Sequence, residues 1–157
     1  MSLAAFFDTN IFVYADDASA AVKQATAIKL IDQHVRSGTA VTSLQVMQEY
    51  YAVATRKVGV TPDVAQRKVE LMCGFKVVQF SPKDVISAIE LHRLRHISFW
   101  DAMIIHAARA GGASVLYSED LQADSVWGGL KLVNPFAETT KSAAGRAGTR
   151  GRRSTRS

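Results

Sequence analysis

The chain has 157 residues, enough for one folded domain with a sizeable core and too few for two ordinary ones. Hydrophobic residues make up 48% and charged residues 21%, as in globular proteins, and no run approaches the roughly 18 apolar residues of a membrane-spanning helix. Cys73 is the only cysteine, which excludes an intrachain disulfide and a cysteine-based metal cluster. The first residues carry no basic, signal-like segment, so we expect a cytoplasmic protein with no membrane partner.

The formal net charge of +5 is concentrated at the C-terminus. Six of the 19 Lys and Arg residues and none of the 14 acids lie in residues 141–157, so residues 1–140 hold 13 cations against 14 acids, a net charge of −1. The last 17 residues contain no apolar side chain larger than alanine and cannot bury enough surface to offset the entropy of ordering. The sequence therefore predicts a folded domain over residues 1–140 and a basic disordered tail over residues 141–157.

Short apolar runs alternate with longer stretches of helical periodicity. In chain order, the predicted elements are a strand at 3–7, a helix at 19–36, a strand at 39–42, helices at 43–57 and 62–73, a strand at 76–80, helices at 82–95 and 100–110, and strands at 114–117 and 130–133. This alternation is typical of βαβ units and predicts an α/β fold with a parallel sheet. Ligands of such sheets bind beyond the carboxyl ends of the strands.

Two acids lie just after predicted strands. Asp8 comes after the first strand, where it can cap the next turn as well as face a site. Asp120 follows the strand at 114–117 in the sequence Ser118-Glu119-Asp120. Glu119 and Asp124 compete for the same role, but the spacing of Asp120 from Ser118 suits a hydroxyl that orients a neighbouring carboxylate. We therefore favour Asp120.

Two further acids lie in helical stretches. Asp101 follows Ser98 at the spacing of a capping pair, yet its neighbours are more apolar than those of most surface caps, and capping and metal binding are compatible roles. Glu49 lies beside a stripe of helical spacing that we expect to face the core, so it is either a solvated rim residue or a ligand. The stripe consists of Leu44, Met47, Tyr51, Ala54 and Val58.

Taken together, the four acids indicate a metal site more strongly than each acid does alone. Carboxylates brought together repel one another unless a cation joins them. Oxygen ligands select hard cations, so the metal would be Mg²⁺ or Mn²⁺, which suits phosphoryl chemistry. The number of ions, one or two, is left open.

The motifs that carry these acids resemble those of the PIN-domain ribonucleases, and in particular the VapC-type toxins of bacterial toxin–antitoxin pairs. They are Asp8-Thr9-Asn10 after the first strand, Glu49 in the second helical stretch, Phe99-Trp100-Asp101-Ala102 at a helix start and Ser118-Glu119-Asp120 after a late strand. Each motif is short, but their order and spacing are fairly specific, and the resemblance covers roughly residues 3–136.

The resemblance implies a three-layer α/β/α sandwich with a central, mostly parallel sheet. It implies an Mg²⁺- or Mn²⁺-dependent endoribonuclease that leaves a 3′-hydroxyl and a 5′-phosphate, a homodimer, and a cognate antitoxin whose C-terminal segment enters the active-site groove. Carried over residue by residue, it makes Asp8, Glu49, Asp101 and Asp120 the catalytic, metal-binding acids and Asn10 and Ser118 their polar supports.

Two alternatives come from other functional classes. A phosphotransfer protein, such as a phosphatase with a metal-binding acidic pocket, also carries Asp at strand ends, but the phosphatase signature has a second Asp where this chain has Asn10. A non-catalytic PIN-like RNA-binding module predicts the loss of one or more acids, and all four are present. Phe99 and Trp100 we expect in the core or a dimer interface rather than stacked on bases.

Overall fold

The computed structural model describes residues 3–122 and 124–137. Within these ranges six strands form one sheet in the order β3-β2-β1-β4-β6-β5, in which all neighbours pair in parallel except β5 and β6. The strands are β1 (Ala5–Phe7), β2 (Ala40–Ser43), β3 (Lys76–Val78), β4 (Val115–Tyr117), β5 (Val126–Trp127) and β6 (Leu130–Val133). Residues Ala5–Phe7 at the centre are fully buried.

Helices flank this sheet and give a three-layer α/β/α sandwich, which confirms the predicted fold. They are α1 (Thr9–Asp16), α2 (Ala21–Ser37), α3 (Leu44–Val53), α4 (Pro62–Met72), α5 (Pro82–Arg95) and α6 (Phe99–Ala110). A 3-10 turn at Ala18–Ala20 precedes α2, and a π-helical turn at Ala54–Val58, called here the π-turn, continues α3.

A partly buried ion pair and a hydrogen bond connect α1 to its neighbouring helices. The side chain of Asp16, at the end of α1, is 4% exposed and pairs with Lys68 of α4. The Tyr50 hydroxyl of α3 donates a hydrogen bond to the same carboxylate at 2.5 Å. Because a buried carboxylate needs its partners, these contacts fix α1 relative to α3.

The predicted core stripe of α3 is wrong in part. Of its members, Leu44 and Tyr51 are 44% and 42% exposed, and only Ala54 is fully buried. Val46 and Tyr50, which lie outside the predicted stripe, are fully buried. Two sets of apolar residues follow helical spacing in this segment. The set that contains Tyr50 faces the core, because the Tyr50 hydroxyl reaches the buried carboxylate of Asp16.

The described ranges contain no helix long and apolar enough to cross a membrane. The predicted tail at 141–157, and the predicted end of the domain at residue 140, lie outside the described residues.

Candidate active site

A cavity of about 580 Å³ opens beyond the carboxyl ends of β1 and β4. The four acids singled out from the sequence, Asp8, Glu49, Asp101 and Asp120, all line it. They come from a strand end, two helices and a second strand end, so the fold brings together carboxylates that lie up to 112 residues apart in the sequence.

Asp8 is the most buried of the four, with 9% of its surface exposed. It is the N-cap of α1: the Thr9 backbone N–H donates to its Oδ1 at 2.7 Å, and the Ser118 hydroxyl donates to its Oδ2 at 2.8 Å. Burial raises the pKa of Asp8 from 3.8 to about 6; the two hydrogen bonds oppose this rise, and the negative charges of Glu49 and Asp120 add to it. The capping interpretation is therefore correct, and the same carboxyl group carries an unfavourable buried charge.

Glu49 is held in place through both carboxylate oxygens. The Thr9 hydroxyl donates to Oε2 at 2.7 Å, and the Gln45 amide donates to Oε1 at 2.9 Å. These contacts rule out the alternative of a freely solvated rim residue. Sequence reasoning missed both donors, although Gln45 lies one helical turn before Glu49, a spacing at which side chains meet.

Asp120 shares its hydrogen-bond network with Asp8. Asn10 donates from Nδ2 to the Asp120 carboxylate at 3.0 Å, and the Asp120 backbone N–H donates to the Ser118 hydroxyl oxygen at 3.2 Å. Ser118 gives its own proton to Asp8, so one hydroxyl links the two strand ends. Asn10 and Ser118 thus contact the acids that they were expected to support.

Glu119 and Asp124, the two alternatives to Asp120, differ from it in their surroundings. Glu119 also lines the cavity, but Lys23 lies 2.7 Å from its carboxylate and also donates to the Tyr14 hydroxyl at 3.2 Å. Asp124 is exposed, has a backbone φ of +63° and does not belong to the cavity lining. The geometry therefore favours Asp120, since its charge faces the cavity without a bound cation while that of Glu119 is compensated.

Asp101 enters the cavity from the first turn of α6. The predicted cap is present, because the Asp101 backbone N–H donates to the Ser98 hydroxyl oxygen at 3.0 Å. This contact uses the backbone and leaves the carboxylate available to the cavity. Trp100 beside it is 62% exposed and lines the same cavity, so of the two expected positions, core or dimer interface, the core is excluded for Trp100.

The donor chemistry of the cavity suits a hard divalent cation, because carboxylate oxygens are the ligands that Mg²⁺ and Mn²⁺ prefer. In the part of the chain that the structure describes, no group of three or more Asp, Glu, His or Cys side chains is arranged so that it could hold a metal ion. Mg²⁺ does not require such a group, since it keeps several waters and binds through one or two protein carboxylates. The residues present therefore fit such an ion.

A model of the PIN domain matches residues 5–126, most of the chain. The chain belongs to the PIN-domain family. This membership confirms the resemblance found in the sequence motifs. The sequence matches none of the curated proteins with which it was compared.

Solved structures share the fold of this PIN domain. A toxin–antitoxin complex from Klebsiella pneumoniae has a TM-score of 0.59 at 19% identity, covering 84% of this chain and 98% of that one. The sarcin–ricin loop cleaving toxin VapC20 of Mycobacterium tuberculosis has a TM-score of 0.57 at 22% identity, covering 74% and 90%. VapBC2 of Rickettsia felis, bound to a DNA fragment from its promoter, has a TM-score of 0.60 at 22% identity, covering 84% and 98%. At these identities the likeness establishes the fold.

Proposed function

We propose that this PIN domain is a metal-dependent endoribonuclease that hydrolyses RNA phosphodiester bonds. The observation that carries the proposal is the convergence of Asp8, Glu49, Asp101 and Asp120 on one open cavity, with Asp8 buried beside two other negative charges. A cluster of this kind is unfavourable without a cation, and stored carboxylate repulsion of this sort is typical of functional sites.

The four acids are the proposed catalytic, metal-binding residues. When bound, Mg²⁺ or Mn²⁺ supplies positive charge that polarises a phosphodiester and favours attack by water, leaving a 3′-hydroxyl and a 5′-phosphate. Thr9 and Ser118 hold Asp8 and Glu49 in fixed orientations, and Asn10 does the same for Asp120. These neutral donors position the acids without cancelling their charge, so the cavity keeps its attraction for a cation.

We further propose that the chain is the toxin of a type II toxin–antitoxin pair. The support is the shared fold with a toxin–antitoxin complex and with a toxin that cleaves the sarcin–ricin loop. The proposal implies a cytoplasmic protein, a cognate antitoxin and a homodimer, and it leaves the RNA target to experiment.

Cleavage of end-labelled RNA by the purified chain tests the nuclease. We expect cleavage with Mg²⁺ or Mn²⁺, none with EDTA, and a loss of at least about a hundredfold in the Asp101→Asn variant, since even residues that only support a metal ligand are worth 10–100-fold. Ser98→Ala is the matched control: it removes the α6 cap, at a cost of roughly 1 kcal/mol of stability, but keeps the carboxylate and the cleavage.

Activity that persists in Asp101→Asn would contradict the assignment of the site. Metal-dependent hydrolysis of a small phosphate ester without RNA cleavage would favour the phosphatase alternative. A metal-binding chain that binds RNA and cuts none would favour the non-catalytic module.

A further inference from the structure

The charge of the cavity is strongly one-sided. Among the described residues that line it, Lys57 alone has a cationic side chain, whereas six are acidic: Asp8, Asp17, Glu49, Asp101, Glu119 and Asp120. A phosphodiester brings further negative charge, so an RNA strand that enters this cavity is repelled except where a cation meets it. Lys57 is the side chain placed to provide that attraction.

The π-turn is what brings Lys57 to the cavity. Glu49, Val53 and Lys57 follow one another at intervals of four residues and all line it. In a regular α-helix, eight residues would turn Lys57 roughly 80° away from Glu49. The wider i to i+5 turn, seen where the Gly59 N–H donates to the Ala54 carbonyl, takes up this rotation.

Lys57 is also available for a ligand. Its side chain is exposed, and across residues 3–122 and 124–137 the structure shows neither an ion pair nor a hydrogen bond for it. Lys23 differs, because its ammonium group is already committed to Glu119 and Tyr14. Arg56, the preceding residue on the same turn, is also exposed but is not part of the cavity lining.

We propose that the Lys57 ammonium group binds a phosphate of the RNA backbone next to the bond that is cut. Its ligand is thus a non-bridging phosphate oxygen, contacted without regard to base sequence. Lys57 binds substrate at the mouth of the cavity, while the acids act at the reacting phosphate. This assignment rests on the proposed nuclease function.

The test compares Lys57→Ala with Arg56→Ala, which removes the same charge from the same turn, and with Lys57→Arg, which keeps it. We expect Lys57→Ala to raise KM about tenfold and to change kcat less. A tenfold change corresponds to the binding free energy lost with one hydrogen bond to a charged group. The salt dependence of affinity for a labelled single-stranded RNA of mixed sequence, measured in the cleavage-deficient Asp101→Asn background, should lose about 0.7 in slope. Arg56→Ala should change neither quantity appreciably, and Lys57→Arg should retain both.

The nuclease function and the Lys57–phosphate contact can each be disproved independently of the other. If the wild type cleaves RNA and the two alanine variants have the same KM and the same salt slope, the phosphate contact is overturned and the nuclease stands. If the wild type cleaves no RNA but Lys57→Ala selectively weakens RNA binding, the nuclease is overturned and the contact stands. Circular dichroism of each variant verifies that these comparisons are made between folded proteins.

Discussion

Asp8→Asn is expected to abolish RNA cleavage and, in the absence of metal, to make the protein more stable. The activity should fall by about 10³-fold, because the variant removes the buried acid that accepts the Ser118 hydrogen bond and lies beside the charges of Glu49 and Asp120. The stability should rise while the activity falls, because keeping this buried carboxylate ionised destabilises the folded state. An asparagine of nearly the same shape can still accept the Thr9 N–H without that charge.

The sign of the pH dependence follows from the raised pKa of Asp8. Below its ordinary pKa of 3.8 the group is protonated in both the folded and the unfolded state, and it costs nothing. Above the folded pKa of about 6 it is ionised in both, and the folded state bears the full cost, up to about 3 kcal/mol. In EDTA, Asp8 therefore contributes a loss of stability as the pH rises from about 4 to about 7.

Thermal unfolding in EDTA at several pH values measures this effect. At pH 7 to 8 we expect Asp8→Asn to melt several degrees above the wild type, and the difference to shrink towards pH 4. Added Mg²⁺ should raise the melting temperature of the wild type more than that of the variant, because binding to the folded state alone stabilises it. An Asp8→Asn protein that is destabilised equally at every pH would contradict the electrostatic explanation.

Gly111→Ala is expected to destabilise the fold by about 2–3 kcal/mol through overpacking. Gly111 follows α6 where the chain passes over β2 and β3, and an added Cβ would lie 2.6 Å from Val41 Cγ1 and 2.9 Å from Val78 Cγ2. Both distances are shorter than any carbon–carbon contact allows, and Val41 is only 2% exposed and cannot move aside freely.

Melting temperatures verify this prediction, with Gly129→Ala as the control. An added Cβ at Gly129 meets no described atom within 4 Å, so this variant should behave like the wild type. Combining Gly111→Ala with Val41→Ala should cost less than the two single changes together, because the second relieves the clash made by the first. Strictly additive costs would show that Gly111 matters for another reason.

The sequence predicted the long elements well because each carries many periods of its hydrophobic pattern. The helix at 82–95 matches α5, which begins at Pro82 behind a capping box formed by Ser81 and Asp84. The strand at 130–133 matches β6. Among the α-helices and strands of the described residues, the sequence missed α1, with eight residues, and β5, with two. Both are too short for their periodicity to stand out.

The candidate site was predictable as a set of acids but not as a network. Position after a strand indicated Asp8, and position together with the spacing from Ser118 indicated Asp120, since strand ends share one edge of a parallel sheet. The contact from Thr9 to Glu49 joins residues 40 apart, and that from Lys23 to Glu119 joins residues 96 apart. Such pairings depend on how the helices are rotated, which local patterns do not specify, as the partly wrong core stripe of α3 also shows.

Because of the π-turn, the end of α3 resembles a regular helix into which one extra residue has been inserted. Removal of one residue within it, such as Thr55, would leave Glu49 and Lys57 seven residues apart, the heptad spacing that returns to the same face of a regular α-helix. Chain length in this segment can thus vary by one residue without turning the lysine away from the acids. A Thr55 deletion variant should therefore keep its affinity for RNA, whereas a helix of unchanged length forced into regular α geometry should bind RNA as weakly as Lys57→Ala.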